Sequence, residues 1–215
     1  MSRLEQYLHS GEIGLEQFDP ILGSDASLFY LDTGVEKIYR LFLEDFVPSE
    51  GGQIHRVFNE LLNAAPDATL EIRMSSNGGS VDEGSRMLSV MANHFPERTV
   101  GVLETKGYSM GAMLFSYCDK RIIYPLSRVM YHNYASFLMG KGGELNDRLD
   151  HIEDNMGTFF KPILEKGFLT SDEYERMKDG KDIWLNATEM CKRGIATHVM
   201  FGGQLITAED FLKQG

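Results

Sequence analysis

The chain has 215 residues, enough for one well-packed domain or two small ones, and its 42% apolar and 25% charged residues argue against disorder. A net charge of −11 argues against a phosphate-backbone partner, and no apolar stretch approaches the ~18 residues of a membrane span, so neither nucleic acid nor membrane is expected as a partner. The charged opening "MSRLEQYLHSGEIGLEQF" lacks the apolar core of a signal peptide, and Cys118 and Cys191 form no CxxC motif, so the expectation is a soluble cytoplasmic protein with free thiols.

Residues 1–35 contain "GEIG", "GSDAS" and "DTG" with weak periodicity and read as an irregular N-terminal arm, followed by a single domain over 36–215. "KIYRLFL" (37–43) reads as a strand, and "GGQIHRVFNELLNAAP" (51–66) as a helix carrying Ile54, Val57, Leu61 and Leu62 at near-helical spacing. "ATLEIRMSS" (68–76) alternates Leu70, Ile72 and Met74 into a strand ending at a turn. In "VDEGSRMLSVMANHF" (81–95), Gly84, Leu88, Met91 and Phe95 fall at steps of 4, 3 and 4, one face of a helix. "RTVGVLETKG" (98–107) is the next strand and "SMGAMLFSYC" (109–118) the next helix, followed by two short strand-like runs, "KRIIYP" and "SRVMYHN". Strands separated by helices imply an α/β fold of repeated ββα or βαβ units with parallel crossovers, hence a helix-covered sheet.

The third quarter is a long helix, about 143–167. Leu145, Leu149, Ile152, Met156, Phe159 and Ile163 repeat at steps of 4 and 3, an apolar stripe that needs a partner, either the rest of the domain or another chain. Pro162 is expected to kink or locally break it. "TSDEYERMK" and "NATEMCKRG" each begin with a capping box, Thr170 with Glu173 and Asn186 with Glu189, and Gly194 is placed to end the second helix.

Four chemical signals occur in chain order. "SSNGGSV" (75–81) joins strand to helix through two glycines, a turn whose N–H groups can face a cleft; an ordinary β-to-α turn has the same pattern. Ser109 stands at the start of the next helix, where the dipole favours developing negative charge, although serine there is also a common helix cap. His132 ends the strand "SRVMYHN", and "MKDGKDIW" offers Asp179 and Asp182 in a turn-rich stretch where aspartates are often simply solvated. No HExxH or comparable spacing supports a metal, and no phosphate loop is present.

"SSNGGSVDEG", "YSMGAML", "SRVMYHN" and "DIWLNATEMCKRGIATHV" together resemble the ClpP peptidase family, within the ClpP/crotonase superfamily, in collinear order over about residues 38–200. The resemblance implies a serine endopeptidase that needs no cofactor, with Ser109 as nucleophile, His132 as general base, and Gly79 and Met110 as backbone donors of the oxyanion hole. It implies Asp179 as the third member of the triad, with Asp182 as the alternative. The helix at 143–167 matches the family's projecting handle helix, through which two heptameric rings stack as a homo-oligomeric tetradecamer around peptide or unfolded-protein substrates. An AAA+ unfoldase is an implied partner, although the arm does not resemble the family's axial loops. The chain departs from the family in carrying Asn77 where proline usually precedes the two glycines. Two other readings share the fold: a catalytically inactive ring subunit, and a crotonase-type acyl-CoA enzyme, which has no need of a Ser–His pair.

Overall fold

In the computed structural model, which describes residues 19–20, 28–46, 53–133 and 141–214, ten strands form one mixed sheet. The strands are β1 (Asp19–Pro20), β2 (Leu28–Asp32), β3 (Lys37–Leu43), β4 (Thr69–Ser76), β5 (Thr99–Tyr108), β6 (Lys120–Ile123), β7 (Arg128–Tyr131), β8 (Ile183–Asn186), β9 (His198–Phe201) and β10 (Gln204–Thr207). The helices are α1 (Gln53–Leu62), α2 (Val81–His94), α3 (Met110–Tyr117), α4 (Gly142–Glu165), α5 (Ser171–Lys178), α6 (Ala187–Lys192) and α7 (Ala208–Leu212). Helices α1, α2 and α3 fill the crossovers from β3 to β6, so these four strands run parallel, as a helical connection requires. This is the α/β architecture that the alternation of strands and helices predicts.

The alternating residues Leu70, Ile72 and Met74 of β4 are almost fully buried, and they join Met87 and Met91 of α2, Phe95 just after it and Phe115 of α3 in one core. Burial of side chains this size stabilises by roughly 1.5–3 kcal/mol each, which is what fixes the register of the central strands. Glycine permits close packing of α2 on α3: a Cβ on Gly84 would overlap the Met110 side chain at the start of α3.

Strand β5 positions the site, because it changes partner along its length. Val100–Leu103 pair with β6, whereas Lys106–Tyr108 pair with β7. Ser127, fully buried, closes the fork: its hydroxyl donates to the Leu103 carbonyl at 2.6 Å and accepts the Tyr124 N–H at 2.9 Å. Strand β7 in turn pairs antiparallel with β8, which lies off the main path of the sheet.

Two features differ from the sequence reading. Residues 28–32, expected within an irregular arm, form β2 in a hairpin with β3, and Leu28 is fully buried in the core. The hairpin turns at Gly34, whose φ of +76° suits glycine and whose N–H donates to Asp32 Oδ1 at 2.8 Å. Helix α4 runs without interruption through Pro162, where a kink or local break was expected, and continues to Glu165 although the proline cannot donate a helical bond. At the same end of α4, Phe160 and Ile163 are buried and Met156 and Phe159 pack against the domain's own core. Leu145, Leu149 and Ile152, the upper part of the stripe, lie outside the residues whose side chains are described. Both capping boxes form, with Thr170 and Asn186 accepting from the N–H groups of Glu173 and Glu189. Cys118 and Cys191 are free, buried thiols, and burial pushes the Cys118 thiol up to about 12.

Candidate active site

Ser109 occupies the single residue between β5 and α3, with φ +55° and ψ −124°. Among the described residues only Glu97 and Ser109 are non-glycine residues with positive φ, a strain that typically costs ~1–3 kcal/mol and persists only where its surroundings enforce it. The enforcing contacts are backbone ones. The Ser109 N–H donates to the Met130 carbonyl of β7 at 2.9 Å, while its own carbonyl accepts from Ala112 and Met113 in α3 at 3.0 and 3.2 Å. The hydroxyl makes no capping bond to the helix. The alternative in which Ser109 is only a helix cap is therefore not what the chain adopts: the backbone is strained and the side chain is left out of the helix's own bonding.

The glycine turn after β4 packs directly against this serine. A Cβ on Gly78 would stand 2.6 Å from Ser109 Cβ, 2.8 Å from the Tyr108 carbonyl and 3.1 Å from the Met110 nitrogen. No side chain but hydrogen fits there, and the φ of +105° independently demands glycine. Gly79, with φ +127°, is held from its other side, because a Cβ there would strike the Phe46 carbonyl. Phe46 pins the turn with two backbone bonds, its N–H to the Gly78 carbonyl and its carbonyl to the Ser80 N–H, both 2.7 Å. Met110 is the first residue of α3, so its N–H has no partner within the helix.

His132 follows Tyr131, the last residue of β7, and is half-buried. Since β7 lies beside the end of β5, with Tyr108 paired to Met130, Ser109 and His132 come from adjacent parallel strands at the same end of the sheet. Their side chains form no hydrogen bond with each other among the described residues.

Strand β8 brings the acids to the same edge. Tyr131 pairs with Ile183, so the next residues in that antiparallel register are His132 and Asp182. Tyr131 and Ile183 are buried; His132 and Asp182 therefore share the opposite, more open face. Asp179 lies further away in sequence, at the C-cap of α5, and its side chain is exposed. Across the same face run Tyr108, Met130 and Trp184, with the Tyr108 and Trp184 rings edge to face at 5.0 Å. The sequence reading missed Gly78 as the residue in contact with Ser109, although the paired glycines flagged the turn.

Among the described residues, no cluster of His, Cys, Asp or Glu is arranged to hold a metal ion, and no helix is long and apolar enough to cross a membrane. The sequence model of the Clp protease family matches residues 40–203, which include every element just described around Ser109. No curated protein matches the chain.

Proposed function

The chain belongs to the Clp protease family, and we propose that it is a serine endopeptidase in which Ser109 attacks the scissile carbonyl. His132 takes the Ser109 proton and later returns a proton to the leaving amine; water then hydrolyses the acyl-enzyme. The N–H groups of Gly79 and Met110 hold the oxyanion of the tetrahedral intermediate, a role worth ~10²–10³ in rate for a single donor. The carboxylate fixes the imidazole tautomer and stabilises the imidazolium without accepting its proton. For that carboxylate we favour Asp182 over Asp179, the residue favoured on sequence, because His132 and Asp182 directly flank the last pair of the β7–β8 ladder, Tyr131–Ile183.

The observation that carries this reading is the backbone of Ser109, strained to φ +55° with its hydroxyl uncommitted to the helix. A serine serving only as a cap has no reason for that geometry. The substrates proposed are peptides or unfolded proteins, enclosed by heptameric rings stacked as a tetradecamer through α4, with an AAA+ unfoldase as a candidate partner. A catalytically inactive ring subunit is the second reading, favoured by the missing Ser109–His132 hydrogen bond. Ser109→Ala separates the two. The peptidase reading expects complete loss of fluorogenic-peptide hydrolysis with assembly retained, whereas a wild-type protein as inert as the variant supports the inactive subunit.

A further inference from the structure

Asn77 is exposed, yet its backbone N–H and both polar atoms of its side chain are engaged. Its backbone N–H donates to Asp45 Oδ1 at 2.6 Å and its side-chain Nδ2 to Asp45 Oδ2 at 3.2 Å. On the other side, its Oδ1 accepts from the Lys106 ammonium at 2.7 Å. The two charges fix which way the amide points, since only the oxygen can face an ammonium and only the nitrogen a carboxylate. Ser76 extends the chain of bonds: its hydroxyl donates to Asp45 Oδ1 at 3.4 Å and accepts the Gly78 N–H at 3.0 Å. Asp45 precedes Phe46, the residue whose backbone pins Gly78 and Ser80. Lys106 lies on β5 three residues before Ser109. The turn is thus tied at one end to the segment after β3 and at the other to the strand that delivers the nucleophile.

We propose that Asp45, Asn77 and Lys106 form a latch of positioning residues that holds the 76–79 turn so that the Gly79 N–H is presented beside Ser109. The latch rests on the peptidase reading for its catalytic consequence, but its geometry stands on the bonds alone. Gly78 and Gly79 both sit at positive φ and confer no stiffness of their own. The hydrogen bonds to charged partners supply it, and such bonds are roughly twice as strong as neutral ones. Burial works to raise the Asp45 carboxyl, but hydrogen bonds from Asn77 and Ser76 and the nearby Lys106 charge outweigh it and hold the group below the usual carboxylate range. The carboxylate is accordingly in its accepting form at neutral pH.

The test pairs amide hydrogen exchange over residues 75–81 with peptide-hydrolysis kinetics in the full-length protein, comparing wild type with Asp45→Ala, Asp45→Asn, Asn77→Ala and Lys106→Met. In Asp45→Ala the turn amides should exchange at least ~10-fold faster, the consequence of losing a charge-assisted bond, while β4 and β5 amides stay protected. In the same variant kcat should fall by ~10-fold or more with KM within about twofold, because the oxyanion is bound only in the transition state. Asp45→Asn, which keeps an acceptor, should recover part of both. Should Asp45→Ala not fold, the surface variants Asn77→Ala and Lys106→Met carry the same comparison. Unchanged exchange over 75–81 overturns the latch, and faster exchange with unaltered kcat overturns its positioning role. If the wild type hydrolyses no peptide, the peptidase reading fails, and the exchange result still decides whether the latch exists.

Discussion

At the residue scale, the glycine pair and Ser109 were legible in the sequence, and so was His132, since each ends or begins an element whose periodicity is clear. What was not legible is how the turn and serine touch. Gly78 meets Ser109 across 31 positions of chain, and Asp45 meets Asn77 across 32, separations at which no local pattern exists. The same limit applies to the acid: "MKDGKDIW" contains two aspartates, and the proposal of Asp182 draws on the pairing of β8 with β7, which no local pattern shows. Asp182→Asn should lower kcat on the order of 10⁴-fold, the loss seen when the orienting carboxylate of such a triad becomes an amide, while Asp179→Asn stays within about threefold. The reverse ranking in steady-state peptide hydrolysis would restore Asp179 to the role.

At the scale of elements, the central strands and helices from 37 to 133 follow their hydrophobic period, and the two capping boxes announce α5 and α6. The hairpin of β9 and β10 carried a readable signal, the adjacent Gly202 and Gly203, both at positive φ, between two short apolar runs. Strand β8 is harder, because "IWLN" runs straight into the cap of α6 and leaves Trp184 and Asn186 exposed. The C-terminal elements are held partly by charge. Arg121 donates to the carbonyls of Cys118 and Ile195, both at 2.6 Å, stapling the end of α3 to the end of α6. Glu173 in the cap of α5 takes a two-pronged bond from Arg193 just after α6, at 2.8 and 2.9 Å. That Arg193 hydrogen bond, opposed by burial and reinforced by Thr170, holds the Glu173 carboxyl below its usual range. A folded-state pKa below the unfolded one contributes stability that is present above the unfolded value and lost as pH falls through the folded value. Glu173→Gln should therefore destabilise by ~1–3 kcal/mol at pH 7, and the gap from wild type should close below about pH 4. Denaturant melts at both pH values check the sign; a gap that widens on acidification contradicts it.

At the scale of the whole molecule, the apolar surface is uneven. Leu126 is 86% exposed and Trp184 52%, the first lying two residues before β7 and the second paired with it. Single exposed apolar residues are ordinary, but these accompany a 24-residue helix, α4, whose described core contacts lie toward its C-terminal end. The ring assembly proposed above would cover such surface. Light scattering at micromolar concentration should give about 340 kDa, the mass of fourteen 24.3 kDa chains, and a monomer would sink the ring proposal.

The catalytic consequences depend on whether Ser109 is an activated nucleophile, and intact-mass measurement after treatment with a serine-reactive fluorophosphonate asks that directly. One adduct per wild-type chain is expected, and none on Ser109→Ala. An assembled wild-type protein that stays unlabelled, or a variant labelled as readily as wild type, would contradict it.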